Sequence, residues 1–552
     1  MTECPSRHGK DGTPFNGMKK TLAVLLVVSA VTLFLRILPW HTVFNGQYVS
    51  FLEGDSYNQM YYARLIADMP FWPAIHYTLS HNLLWSGTVA ALSHIAPLEV
   101  VGAVLPPLMA VGTGILVYLI GSTLWDRTVG VLGALFVGII PSEALHRSLL
   151  GFADHHAAEV LLVAFVLLCF TRTLKTGHET RKWMGVSALA LFLYFENWTG
   201  GLTILVPLIL AGLGIMAWGM IKRRPFYPGG LVILLPVVAA LALYAPFGGW
   251  NRLAGIFPHE AGTVAALPVA TQTTMEGIST FLAPVSQRTI SELMPLFNPA
   301  GRGFDPGVVV ANLHLFALAA PVGSVMLWQH RRNRGVQLFV VWALAVLLMA
   351  LNNRRFLYYL TLPVGLFSAY LVWWLASKVK GSLAFNAGFL AVPFLLLSIP
   401  MATNLGLGSF YQMPREWHTM LTWMDKQAVH GQVTAWGDYG HWIKYETGFT
   451  PNLLPGPGGK DVAQLFLSND VSQERALLAG LNTQYVVVDT ETLSWKLPAL
   501  AKIAGTTTST SVQETLISRL MAVQNVPDFL RLDYESRNIR VYRVTPVSAS
   551  SE

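Results

Sequence analysis

Apolar runs of spanning length recur along this chain, and about 20 apolar residues in an α-helix cross the hydrocarbon core of a bilayer. The first run, Thr21 to Pro39, follows Lys19 and Lys20. It ends without a small-residue cleavage pattern, so it reads as a first spanning helix that is kept. Further runs lie near residues 98–121, 127–146, 156–173, 183–198, 199–219, 229–247, 308–328, 336–351, 355–377 and 383–402. With the stretches 84–97 and 262–285 as two further candidates, they predict a polytopic α-helical membrane protein of about 11–13 transmembrane helices. Only 12% of the 552 residues are charged, against roughly a quarter in soluble domains. The net charge of +7 does not point to nucleic acid, because the basic residues sit in short clusters between apolar runs. In a membrane protein those clusters set topology. The two cysteines, Cys4 and Cys169, imply no disulfide framework.

The clusters are Arg172, Lys175, Arg181 and Lys182; then Lys222, Arg223 and Arg224; then Arg331, Arg332 and Arg334; then Lys378 and Lys380. All four fall on the side of the N-terminus, which the positive-inside rule makes cytoplasmic. Four segments then face outward: the loop 40–97, the Leu150–Glu159 turn, the long loop 248–307, and everything after residue 403. From Tyr411 the long apolar runs stop. Short alternations such as Tyr485-Val486-Val487-Val488-Asp489 and Ile539-Arg540-Val541-Tyr542-Arg543 read as strands among helices. The expected layout is a cytoplasmic tail (1–18), a transmembrane domain (19–410) and a small extracytoplasmic α/β domain (411–552).

The outer segments hold few acids. Asp55 lies in Glu53-Gly54-Asp55-Ser56-Tyr57, and Asp154 in Gly151-Phe152-Ala153-Asp154-His155-His156. Glu292 ends Thr289-Ile290-Ser291-Glu292. Ionised groups at a membrane boundary default to a functional hypothesis. Asp55, Asp154 and His156 offer hard oxygens and an imidazole nitrogen, a set suited to Mn²⁺ or Mg²⁺. One of His155 and His156 suffices as the nitrogen ligand. The plainer alternative is that Asp55 is solvated and Asp154 caps its helix. Arg354 and Arg355 sit at an outer helix end, against the positive-inside bias, either snorkelling or gripping an anion. Trp436-Gly437-Asp438-Tyr439-Gly440-His441-Trp442 places an aspartate between aromatic rings and glycines. It reads as a ligand site or as an aromatic core turn.

That last segment resembles the Trp-Trp-Asp-Tyr-Gly motif of the oligosaccharyltransferase catalytic subunit, a family that includes single-subunit bacterial and archaeal enzymes. Phe51 to Arg64, Gly151 to Glu159, Thr289 to Glu292 and Arg355-Phe356 are similar to its other motifs, in the same order. The resemblance implies en bloc transfer of an oligosaccharide from a polyprenyl pyrophosphate (or phosphate) to the asparagine of Asn-X-Ser/Thr, metal-dependent and inverting. By it, Asp55, Asp154, His156 and Glu292 hold the metal, and Asp55 and Glu292 also bind the acceptor amide. Arg355 binds the lipid pyrophosphate. Trp436, Asp438 and Tyr439 hold the acceptor's +2 hydroxyl, Ile503 meets the threonine methyl, and Arg302 reads an acidic residue at −2. The motif's second tryptophan is Gly437 here, so one aromatic wall and one N–H donor of that pocket are missing. The short C-terminal domain suits a prokaryotic enzyme acting as a single subunit in the plasma (inner) membrane. Two rivals are another C-type membrane glycosyltransferase with a non-protein acceptor, and a lipid-linked-sugar flippase or transporter. The first would not need the Trp436–Gly440 cluster. The second would tend to show internal repeats and mid-membrane polar groups.

Overall fold

A computed structural model describes residues 14–46, 48–175, 179–221, 230–249, 297–298, 303–304, 313–327, 333–352, 356–427, 431–452, 459–505 and 512–545. Each of the eleven apolar runs carries a helix. Among the described residues six are long and apolar enough to cross a bilayer: Lys19–Ile37, Leu98–Leu124, His156–Lys175, Arg334–Leu351, Leu357–Lys378 and Leu383–Gly406. Four shorter apolar helices accompany them: Arg127–Ile139, Gly200–Gly214, Leu231–Phe247 and Phe316–Val325. Thr180–Asn197 is less apolar, because Arg181, Lys182 and Glu196 interrupt it.

Two expectations are corrected. The stretch 84–97 holds only the nine-residue helix Leu84–Leu92, too short to span. The run 127–146 stops as a helix at Ile139. Pro141 forces the preceding Ile140 out of helical geometry (φ −56°, ψ 119°). The stretch 262–285 lies outside the described residues.

The chain divides into two compact units, Met1–Val49 with Ala63–Ser409, and Ser50–Tyr62 with Phe410–Glu552. In the first, helices pack closely where side chains are small. A Cβ on Gly121 would come 2.8 Å from Gly130 Cα, so the Leu98–Leu124 and Arg127–Ile139 backbones nearly touch there. Large apolar side chains such as Phe385, Phe389 and Leu396 on Leu383–Gly406 stay exposed, as a face meeting lipid tails would. The buried guanidinium of Arg36 bonds Ser148 Oγ at 2.9 Å and Gly138 O at 2.8 Å. Those bonds tie the end of the first helix to the segment leading into Asp154.

The second unit is built on a five-stranded mixed sheet in the order Thr450–Asn452, Gln432–Thr434, Thr483–Asp489, Ile539–Val544, Leu530–Glu535. The first three strands run parallel and the last two antiparallel to their neighbours. Val486, Val488, Val541 and Tyr542 are buried in it. The α/β character expected from Tyr411 onward is observed. The sequence placed Ser50–Tyr62 with the spanning helices, yet these residues pack with the sheet unit. Phe51 and Tyr57 are fully buried, with Tyr57 edge-on to Tyr445 at 5.6 Å and to Trp442 at 6.3 Å.

Candidate functional site

In the first unit the chemistry gathers at the start of His156–Lys175. Gly151 turns the preceding loop at φ +84°, in the left-handed region that glycine enters freely. Backbone bonds from Leu150 N to Arg36 O and from Gly151 N to Ala103 O fix that loop. Asp154, His155, His156 and Glu159 then converge. Asp154 Oδ1 accepts from the His155 backbone N–H at 2.6 Å and pairs with His155 Nδ1. His155 Nε2 lies 3.0 Å from Glu159 Oε1, and His156 Nδ1 lies 3.2 Å from the same oxygen. Tyr358 and Tyr359 donate their hydroxyls to Glu159 Oε2, and Tyr359 is 2.5 Å from the Tyr194 hydroxyl. Asp154 and Glu159 are fully buried.

Burial disfavours charge on Asp154, but the facing His155 and His156 rings overcome it and hold the carboxyl below the usual carboxylate range. Burial also works against a charged His155, and the Asp154 and Glu159 carboxylates carry that imidazole up to about 9. His155 therefore stands as a cation between two carboxylates, with both ring nitrogens engaged. His156 differs. Its Nε2 sits 3.1 Å from Asp154 Oδ2, and that oxygen has no hydrogen-bond partner among the described residues. A lone-pair oxygen left unsatisfied in the interior is costly. A divalent cation between Oδ2 and Nε2 would satisfy both, so the donor set fits a metal. Ligand atoms of Asp154, His155 and His156 all lie within 4.8 Å of one another.

In the second unit the Asp55 segment lies against the aromatic motif. Asp55 Oδ1 is 3.4 Å from His441 Nε2, and a Cβ on Gly54 would sit 3.6 Å from the Asp438 carbonyl. Asp55 is well exposed, so its ion pair is worth at most about 1 kcal/mol. Burying Phe51 and Tyr57 contributes roughly 1.5–3 kcal/mol each, so aromatic packing does the docking. Lys444 adds to it, 4.2 Å from the Tyr61 ring centre and 4.5 Å from that of Tyr62.

The motif itself forms a short 3-10 turn, Gly437–Tyr439, opening onto the helix Gly440–Glu446. Asp438 Oδ2 is 3.3 Å from Lys496 Nζ, which lies 5.5 Å from the Trp436 ring centre. Trp436 is buried, and its Nε1–H has no hydrogen-bond partner among the described residues. Tyr439 stacks on Trp442 at 5.2 Å and packs against Trp417 at 4.3 Å. Burial and then the charge of Asp489 push its phenol far above the ordinary value, so it stays protonated. Ile503 is half-buried on the helix Leu497–Ala504, which begins directly after Lys496.

The structure thus brings Asp154 to His156 in one unit, and Asp55 to the Trp436–Tyr439 motif in the other. Glu292, Arg302 and Arg355 lie outside the described residues. Sequence reasoning missed Glu159, Tyr358, Tyr359, His441 and Lys496. The spacing of Glu159, three residues after His156 and four after His155, was the one available signal, since such positions share a helix face.

A family profile described as "Oligosaccharyl transferase STT3, N-terminal" matches residues 57–405. Among curated proteins, the chain is 24% identical to "Dolichyl-phosphooligosaccharide-protein glycotransferase 3" of Archaeoglobus fulgidus, over 87% of this chain and 70% of that one. The fold is that of the archaeal oligosaccharyltransferase AglB from Archaeoglobus fulgidus, solved with an inhibitory peptide and a dolichol-phosphate. Its TM-score is 0.73 at 19% identity, covering 95% of this chain and 80% of that one. An Archaeoglobus fulgidus oligosaccharyltransferase complex with Zn and sulfate gives a TM-score of 0.63 at 18% identity, over 95% and 74% of the two chains. The chain is a multi-pass membrane glycosyltransferase and belongs to the oligosaccharyl transferase STT3 family.

Proposed function

We propose that this protein transfers an oligosaccharide en bloc from a polyprenyl pyrophosphate or phosphate to the side-chain amide of asparagine in Asn-X-Ser/Thr. The observation that carries this reading is the packing of Asp55 beside the Trp436–Tyr439 motif. A carboxylate able to accept amide protons stands in the same unit as groups suited to the +2 hydroxyl. A transferase acting on lipid or polymer would need no such pairing.

The acceptor nitrogen is a poor nucleophile, because its lone pair is delocalised into the carbonyl. Asp55 and Glu292 each accept a hydrogen bond from one of its two N–H groups and favour a twisted amide with a freer lone pair. One of these carboxylates takes the single proton lost as the C–N bond forms and the sugar C–O bond to phosphate breaks. Asp438 accepts the +2 hydroxyl proton, and the Trp436 Nε1–H donates to the hydroxyl oxygen. Tyr439 supports that wall, and Lys496 orients the Asp438 carboxylate. Ile503 meets the threonine methyl, and Arg302 reads an acid at −2. Asp55, Asp154, His156 and Glu292 would hold Mn²⁺ or Mg²⁺. When bound, the ion supplies positive charge that stabilises the departing phosphate. Arg355 grips the same phosphate bidentately. Attack from the opposite face inverts the sugar carbon.

The zinc complex of the archaeal relative and its peptide- and dolichol-phosphate-bound form support these roles. We place the active site and the sheet unit outside the plasma membrane of a prokaryote, working as a single subunit. The test is a gel shift of a fluorescent Asn-X-Thr peptide with lipid-linked oligosaccharide and Mn²⁺. Asp55→Ala and Glu292→Ala abolish the shift in folded protein, and full activity in both overturns the amide-binding role.

A further inference from the structure

Glu159 is fully buried in the first turn of a spanning helix, where an acidic group is expensive and is retained for a reason. It is not built to be a metal ligand. An ionised carboxylate offers about four lone-pair sites. Among the described residues, four groups face its two oxygens: His155 Nε2 and His156 Nδ1 at Oε1, and the Tyr358 and Tyr359 hydroxyls at Oε2. No acceptor capacity is left for a cation.

The four contacts do something else. With Oε1 accepting at His156 Nδ1, the ring proton resides on that nitrogen. His156 Nε2 is left with its lone pair aimed at Asp154 Oδ2, 3.1 Å away. A metal-ligating histidine characteristically donates its other N–H to a carboxylate, which fixes the tautomer and raises ligand basicity. The tyrosines complete the arrangement. They come from Leu357–Lys378 and hold the far oxygen of Glu159, and Tyr194 from Thr180–Asn197 holds Tyr359 at 2.5 Å. Three helices therefore converge on one carboxylate.

We propose that Glu159 is the positioning residue of the metal site: held by Tyr358 and Tyr359, it selects His156 through Nε2 as the nitrogen ligand and keeps His155 as a non-ligating neighbour. This rests on the metal site proposed above.

The experiment measures Mn²⁺ affinity of the purified full chain by calorimetry, with the EPR spectrum of the bound ion. The amide of E159Q keeps the volume but replaces one oxygen with a group that cannot accept. Mn²⁺ binding should weaken about 10–100-fold and the EPR line shape should change, while metal-free thermal unfolding stays cooperative. The double variant Y358F/Y359F keeps the carboxylate and removes its two donors, and should weaken Mn²⁺ up to about tenfold. A folded E159Q that binds Mn²⁺ like the wild type overturns the proposal. If E159Q does not fold, unchanged affinity in Y358F/Y359F overturns it. D154A separates the two readings. If D154A loses Mn²⁺ and E159Q does not, the positioning role alone is wrong. If the wild type binds no Mn²⁺, or D154A binds it unchanged, the metal site and this proposal fall together.

Discussion

His441 Nε2 lies 3.4 Å from Asp55 Oδ1, so the Trp436–Trp442 motif and the first-loop aspartate meet through a side chain from each. With Phe51 and Tyr57 buried against Tyr445 and Trp442, the carboxylate is held by packing and aimed by the imidazole.

His441→Ala should therefore lower peptide glycosylation about 5–10-fold, the worth of one hydrogen bond near 1 kcal/mol. His441→Gln, which keeps an N–H donor, should recover most of it. Steady-state kinetics with an Asn-X-Thr peptide checks both. Equal rates for Ala and wild type would leave His441 no part in placing Asp55.

Phe51→Ala removes a fully buried ring and should destabilise the sheet unit by about 3–5 kcal/mol. Transfer should fall with it, because the same ring anchors the Asp55 segment. Thermal unfolding and activity measured on one preparation test the link. A large loss of stability with full activity would separate the anchor from the site.

Asp438→Ala should raise the acceptor KM about 10–100-fold with a smaller change in kcat, since a charge-assisted hydrogen bond is worth about 1.5–3 kcal/mol. Lys496→Met should act in the same direction but less, because the Lys496–Asp438 pair is partly exposed. A kcat effect without a KM effect would place Asp438 in the chemistry instead.

The raised His155 imidazole sets a pH dependence. Its value in the fold is about 9, against 6.5 in the unfolded chain. A group raised on folding contributes stability that is fully present below 6.5 and lost as pH rises through about 9. In EDTA the melting temperature should fall across that window. His155→Asn should flatten the slope. A wild-type melting temperature that rises there would contradict the ion pair with Asp154.

The spanning helices were legible because lipid demands long apolar runs, and hardly any local detail overrides that demand. Helix ends were less so: Ile139 is set by Pro141, a single residue inside an apolar run. Asp55, Asp154 and His156 stood out because charged groups are rare in such a chain. Glu159 did not, since a glutamate in a first helical turn is ordinary beside the helix dipole. Its tyrosine partners come from a helix 199 and 200 residues further on, and no local pattern announces them. The placement of Ser50–Tyr62 with the sheet unit was equally hidden, because it depends on Phe51 and Tyr57 finding Tyr445 and Trp442 across most of the chain.

The most direct test is mass spectrometry of a peptide incubated with the protein, Mn²⁺ and lipid-linked oligosaccharide, with Thr or Val two residues after its asparagine. One intact oligosaccharide should appear on the asparagine of the Thr peptide, and none on the Val peptide or after chelation. Unmodified peptide with donors that an active relative uses, or sugar found on lipid alone, would contradict the account.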